Sequence, residues 1–400
     1  MSLAALFNSS SSEPNTWSTD FCPSVRFYNQ ELVTTGIVGG INGYGNVNVD
    51  PSAGDVNGVA GSTAYLDIVP EKPIITSYKA EGSACGMDYN ADLKIRLWDD
   101  RSHQFLVRRR AADPFPVLLD TAAVSFKTAY GEFGLGKKTG VFGAAAKAAD
   151  ITPGAGTVDA GQKLQASLSL PLGGLFNATI ALTGNEHDVR RPGSMVAAAL
   201  ATTEGHRTLS ARPSLEASLS ADLSSVLGGY GDLKATVEVL NGKARSISDI
   251  TRVAITVPDK MSGLGVHVAG KVVGLNVSAG AAATKGLGGI RQSQDTHISA
   301  TTVDGERGYK HKYFGLGYNM NMGGYDMEIK AKKASTLRDT RAAAADSFSK
   351  KNSETSFGIS SKCGEDASLN LSYSAVDSLN ETRVKVAKAK VISAGICVNF

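Results

Sequence analysis

Residues able to do chemistry are sparse in this chain and poorly spaced for it. Six histidines, His103, His187, His206, His267, His297 and His311, stand singly and show no ligand spacing that would bring two imidazoles to one metal. Cys22, Cys85, Cys363 and Cys397 are also far apart, without paired metal-ligand spacing, and read as reduced thiols with no disulfide framework. Gly134-Leu135-Gly136-Lys137-Lys138-Thr139 resembles a phosphate loop, but its first glycine stands at the wrong offset from the Gly-Lys pair. The helix that would hold a phosphate is missing as well, so strand–turn–strand describes it better. Asp67 and Asp249 have no base or nucleophile at a fixed offset. The expectation is a chain without catalysis, metal or cofactor.

What remains is charge placed at regular intervals, and that requires strands. In Ser214 to Leu223 every odd position is apolar and every even one polar or charged. A helix would scatter these side chains, whereas a strand sorts them onto two faces. The same alternation recurs at Leu164 to Leu170, Leu233 to Val239, Leu93 to Leu97, Val124 to Tyr130, Tyr325 to Ile329 and Leu369 to Tyr373. Turn signals separate the runs: Asp50-Pro51, Pro171 to Gly174, Gly228-Gly229, Asn241-Gly242, Pro258-Asp259 and Gly323-Gly324. About 18 to 20 candidate strands of roughly ten residues emerge, a length suited to a tilted strand crossing a bilayer.

Composition separates a membrane barrel from a soluble sandwich. Hydrophobic residues make up 42% of the 400, aromatics 7%, and there are 44 glycines. The apolar face therefore carries many Ala and Gly beside Leu and Val, unlike the large-residue core of a sandwich. The other face places charge in mid-strand, which is natural against a water-filled interior. No stretch approaches the roughly 18 apolar residues of a membrane helix. Met1 to Phe7 has no basic residue ahead of its short apolar run and is not a secretory signal, which argues against a bacterial outer-membrane protein and not against a barrel made in the cytosol and inserted into an organelle. A net charge of +3 is too small for a nucleic-acid binder. With apolar faces outward, Lys94, Arg96, Lys127, Lys163, Lys234, Arg252, Lys271, Lys330 and Lys332 point inward. Glu216, Asp222, Glu238, Asp326 and Glu328 join them, leaving an excess of positive charge that favours anions.

The chain ends Ser393-Ala394-Gly395-Ile396-Cys397-Val398-Asn399-Phe400. Its order of polar Ser393, Gly395, hydrophobic Val398 and terminal Phe400 resembles the sorting signal of mitochondrial outer-membrane barrels. Tyr313-Phe314-Gly315-Leu316-Gly317-Tyr318 and Ser356-Phe357-Gly358-Ile359 have a texture similar to the mitochondrial porin superfamily, which includes the voltage-dependent anion channel and the protein-import pore. The resemblance spans residues 24–400. It implies an all-β fold, a single transmembrane barrel of about 19 mostly antiparallel strands, behind a short N-terminal segment. Residues 1–23 would be that segment, flexible or inside the pore, and residues 334–354 a long loop with a possible short helix. Ser9 to Asn15 is a poor helix former, and the family's Gly-Leu-Lys nucleotide motif is absent.

These features lead to a mitochondrial outer-membrane channel passing small anionic metabolites. Alternatives are an import pore and a structural barrel anchoring a membrane complex. The partners implied are the lipid bilayer, the barrel-assembly machinery and small single-span subunits, with no nucleic acid. Arg108-Arg109-Arg110 reads as a solvated loop or a docking patch.

Overall fold

A computed structural model describes residues 16–32, 61–70, 74–84, 86–98, 118–145, 162–184, 186–187, 209–210, 214–243, 260–285, 297–298, 303–304, 306–340, 351–364, 366–379 and 385–400. Strands dominate throughout. β1 (Thr16–Phe21) and β2 (Pro23–Leu32) run end to end, with only Cys22 between them. β3 (Gly61–Pro70) and β4 (Ile74–Ala84) do the same and lie antiparallel beside the first two, Thr16 opposite Lys79 and Leu32 opposite Gly61. Each pair is one long stave.

Next come β5 (Met87–Trp98), β6 (Leu118–Thr128), β7 (Gly131–Thr139), β8 (Gln162–Leu172) and β9 (Phe176–Gly184). The short β10 (Glu186–His187) and β11 (Leu209–Ser210) pair with each other, as do β16 (His297–Ile298) and β17 (Val303–Asp304). Between those pairs lie β12 (Ser214–Asp222), β13 (Gly231–Lys243), β14 (Lys260–Val272) and β15 (Leu275–Lys285). β18 (Glu306–Met322), β19 (Tyr325–Thr340), β20 (Lys351–Lys362), β21 (Ala367–Leu379) and β22 (Lys385–Asn399) complete the chain.

Every stave pairs antiparallel with the next, and β22 returns to β1 and β2 with Phe21 opposite Val398 and Ser24 opposite Gly395. The sheet is a closed barrel. Its eighteen strands make sixteen staves when the two broken staves are each counted once. This corrects the expected strand number of about 19. An odd count would force first and last staves to run parallel, whereas here they are antiparallel and both ends of the barrel chain lie at one rim. The 19-stranded plan implied by the mitochondrial resemblance is therefore not the plan of this molecule.

Further departures have local causes. β1 begins at Thr16, inside the segment expected to precede the barrel. Strand occupies both ends of the expected loop at 334–354: β19 runs to Thr340, β20 opens at Lys351, and Ala334 stands opposite Glu354, while residues 341–350 lie outside the described residues. Charge there suggested a loop, but ladder pairing continues from Ala334 to Thr340. Asn241-Gly242 makes no turn; both residues remain paired in the ladder, opposite Ser262 and Met261. Asp50-Pro51, Pro258-Asp259 and Arg108 to Arg110 lie outside the described residues.

The cysteine reading is corrected too. Cys22 and Cys397, separated by 375 positions, are joined by a disulfide. They meet because barrel closure sets β22 beside the first stave, a relation that local spacing does not reveal. Cys363 is free, and Cys85 lies outside the described residues.

Alternation assigns the faces. In β9, Ile180 is 46% exposed and Leu182 55%, while Ala181 and Thr183 between them are wholly buried. Large apolar side chains thus point outward and small or polar ones inward, the reverse of a soluble protein. On β18 the outward series runs Phe314, Leu316, Tyr318, Met320, Met322. At about 3.4 Å per residue and a tilt of about 40° this belt is roughly 20 Å tall, close to a hydrocarbon core. Exposed Trp17, Tyr130, Phe176, Tyr230, Tyr325 and Phe400 ring the rim with the short turns.

Those turns explain themselves. Gly323 and Gly324 take φ of 64° and 88° between β18 and β19, the double positive twist a two-residue hairpin favours. Val273 (48°) and Gly274 (81°) make the equivalent turn between β14 and β15. The longer connections, such as residues 99–117 and 185–213, all join staves at the opposite rim. A short helix, α1 (Ser224–Leu227), caps the β12–β13 end, where Asp222 accepts hydrogen bonds from the Ser224 amide and hydroxyl.

Candidate functional site: the barrel interior

After β7 the chain does not continue along the wall. Residues 140–145 turn into the barrel, and the sheet holds them by two carboxylates. The Phe142 amide donates to Glu216 Oε2 at 2.9 Å. The Gly143 and Ala145 amides donate to the two oxygens of Glu238 at 2.6 and 2.8 Å. Both acids come from even positions of β12 and β13, so the alternation that turns leucines outward delivers these groups inward. Hydrogen bonds to a charged acceptor are the stronger class, and here they satisfy amides that leave the ladder.

The tether is reinforced by packing. Phe142 is buried against Leu240, Ala282, Tyr313 and Ala334, the apolar cluster of the interior. Three glycines hollow the wall around it. A Cβ at Gly263 would stand 2.6 Å from the Phe142 ring, and one at Gly265 would meet His267 Nε2 at 2.8 Å. A Cβ at Gly280 would lie 2.4 Å from His267 Nδ1 and 2.6 Å from the Tyr313 ring. Gly263 thus admits the Phe142 ring of the inserted segment, and Gly265 and Gly280 admit the His267 and Tyr313 side chains of the wall itself.

A polar network surrounds the cluster. Glu216 forms an ion pair with Lys163 and accepts from Thr183 Oγ1 at 3.3 Å. His267 shares a 3.2 Å hydrogen bond with the Tyr313 hydroxyl, and its other nitrogen faces Glu238 at 3.5 Å. Farther round, Glu354 accepts from Ser356 and Ser374 and lies 3.9 Å from Lys332. Burying these charges is costly unless they are paired, and each carboxylate has such partners.

The register places Lys94, Lys127, Lys163, Lys234, Lys271, Lys330 and Lys332 on the inner face. The Arg96 backbone lies in β5 beyond a register shift, its side chain is not described, and Arg252 lies outside the described residues. Glu216, Glu238, Asp326 and Glu328 share the inner face, while Asp222 ends its strand at the turn rim. Several of the lysines are matched: Lys163 by Glu216, Lys330 by Glu328 at 2.7 Å, and Lys94 by Asp92 at 3.2 Å.

Sequence reasoning also missed inner-face charges of both signs. Asp88, Asp92, Glu132, Asp232 and Glu354 are inward, as are Arg26, Lys79 and Lys138. All were reachable by extending the alternation past its cleanest runs. With them counted, the two signs are near balance, and position rather than sum decides the field. At the level of the inserted segment both carboxylates are occupied, whereas Lys138, opposite Lys163, runs back along β7 with its ammonium against Gly134 and within the attraction of Glu132.

The terminal motif forms the last seven of the fifteen residues of the closing stave, and Phe400 beyond it. Ser393 and Gly395 face inward, Val398 and Phe400 outward, and the Phe400 backbone exchanges two 3.0 Å hydrogen bonds with Thr19.

No protein-family model matches the chain, and no curated protein sequence matches it. The fold is similar to solved structures. The outer membrane channel DcaP of Acinetobacter baumannii gives a TM-score of 0.62 at 12% identity, covering 97% of each chain. An anion-selective porin from Comamonas acidovorans gives 0.59 at 12% identity, over 97% of this chain and 99% of that one. Salmonella typhi OmpF, in complex with daunomycin, gives 0.54 at 10% identity, over 96% and 97%. At such identities the likeness is one of fold.

Proposed function

We propose that this chain is an outer-membrane diffusion channel for small water-soluble solutes, narrowed by the segment at 140–145. The observation that carries the reading is the inversion of faces in a closed barrel: an apolar outer belt around an interior lined with charge and hydroxyls. The porin likeness agrees in fold.

Preference for small anions is the finer part of the proposal. It rests on Lys138 in the strand that leads into the inserted segment, its ammonium lying back against Gly134, while Glu216 and Glu238 are engaged by the inserted backbone. The preference is weak, because inner charges elsewhere nearly cancel and salt screens them over about 8 Å. The closing stave as an assembly signal, the mitochondrial outer membrane as the site, and help from barrel-assembly machinery and small single-span subunits extend the reading. Their support is the terminal motif of Ser393, Gly395, Val398 and Phe400. Replacing Gly395 and Phe400 by aspartate should stop membrane assembly in cells; unchanged insertion would remove that part.

The deciding experiment is conductance of the refolded chain in a planar bilayer. Stepwise open states with a small anion preference are expected. An inserted barrel without conductance would favour a structural anchor, and block by basic targeting peptides would favour protein import.

A further inference from the structure

The outer face changes chemistry above the apolar belt on four adjacent staves. Lys310 and Lys312 on β18, Lys333 on β19, Lys285 on β15 and Lys351 on β20 are all exposed and all occupy outward positions. The transition is abrupt. Phe314, the last outward aromatic of β18 in this direction, stands directly opposite Lys333, and Lys312 lies one outward step beyond it. Among the described side chains, no carboxylate shares this outward face of the four staves. Lys312 and Lys333 are diagonal neighbours across the two strands, about 7–8 Å apart, and Lys310 lies two positions from Lys312 on its own strand, spacings at which like charges repel.

The floor around Lys312 and Lys333 is low and polar, while exposed Leu337 stands between Lys310 and Lys351. Lys310 and Lys312 stand opposite Ala283 and Ala281, small residues that leave a recess beside β15. Ser335 lies opposite Lys312 and Ser353, and Thr355 opposite Lys333, which adds hydroxyl donors at the same height. Cationic ammonium groups, hydroxyls and a shallow recess together suit a phosphate oxyanion. Continuity with the apolar belt selects its source, because a phospholipid presents its phosphate where its acyl chains meet the belt. The turn rim carries aromatics instead, so the two boundaries of the belt are chemically distinct.

We infer that this lysine arc binds the headgroups of anionic phospholipids in the leaflet at the rim of the longer connections. The inference rests on the membrane-barrel reading above and goes beyond it. The test uses the full chain refolded into phosphatidylcholine bilayers, or into equal parts phosphatidylcholine and phosphatidylglycerol. Spin-labelled lipid of either kind reports how much is held motionally restricted at the protein. Phosphatidylglycerol should associate several-fold more strongly than phosphatidylcholine, with the preference falling as sodium chloride is raised.

The variant K285Q/K310Q/K312Q/K333Q/K351Q should lose that preference, and the matching five-fold arginine variant should keep it. Heat-modifiable gel mobility establishes that each barrel has closed. Should the glutamine variant fail to close, the preference of the wild-type chain and its salt dependence still decide. Equal restriction of both lipids by a wild-type chain that conducts would overturn the lysine assignment while leaving the channel standing. Displacement of the lipid by inorganic phosphate, beyond that caused by chloride at equal ionic strength, would overturn the lipid source. Failure of the chain to insert into either bilayer would overturn both readings.

Discussion

A single carboxylate, Glu238, holds two amides of the inserted segment at 2.6 and 2.8 Å while facing His267 on its other side. Hydrogen bonds to a buried charged acceptor contribute about 1.5–3 kcal/mol each, so E238A should weaken docking of the segment by about 3–6 kcal/mol. The expected readout in planar bilayers is a larger and noisier open state. An unchanged conductance would mean that residues 140–145 do not set the narrow level. Phe142→Ala acts on the same segment through packing and should move conductance in the same direction. Val273 offers a separate check on the backbone. Its φ of 48° is uncommon for a branched residue, and V273N should relieve about 1 kcal/mol of strain in the β14–β15 turn. Urea unfolding in micelles would register this as a higher midpoint with an unchanged slope. Alternation alone identified Glu216 and Glu238 as inward; it could not show what they hold, because residues 140–145 have no period that marks them as inserted.

Elements were legible where their alternation was clean. β12, β13, β8 and β21 follow faces that leucine and valine announce, and the glycine pairs at 173–174, 228–229 and 323–324 mark real turns. Stave count was less accessible. The first two staves are long and interrupted, one at Cys22 and one between Pro70 and Ile74, so each carries two separate period-two runs. The end of β19 was hidden for another reason: the charged run of Arg338 and Asp339 after Ala334 reads as loop until register pairs it with β18. The seam disulfide belongs to this scale as well, since it ties the first stave to the last. Cross-linking a chain over so long a separation limits the unfolded ensemble, and disulfides typically contribute about 2–4 kcal/mol. C22S should therefore lower the temperature at which the barrel changes gel mobility, and dithiothreitol should have the same effect on the wild type only. Equal melting of oxidised and reduced wild-type chains would show that the ladder between β22 and the first stave closes the barrel unaided.

At the scale of the whole molecule, charge arrangement rather than charge total governs selectivity. The chain's formal charge is +3, and summing the lysines most evident in the sequence suggested a distinctly positive interior. The closed register adds Asp88, Asp92, Glu132, Asp232 and Glu354 to the same surface, so the far field nearly cancels. A permeating ion passes these groups at different depths, and the narrow level weighs most because distance and screening there are least. Lys138 lies two residues before the chain turns inward and stands across from Lys163, whose charge is already paired with Glu216. One unit charge at 4–8 Å in water is worth about 0.5–1 kcal/mol, which is about a two- to five-fold bias in permeability. K138Q should therefore move the reversal potential in a salt gradient toward cations by that factor, and the shift should fade as salt rises. The same substitution at Lys271, beside Asp232 near the turn rim, should have a much smaller effect. Equal shifts for the two variants would place the selective charge in the barrel as a whole rather than at the inserted segment.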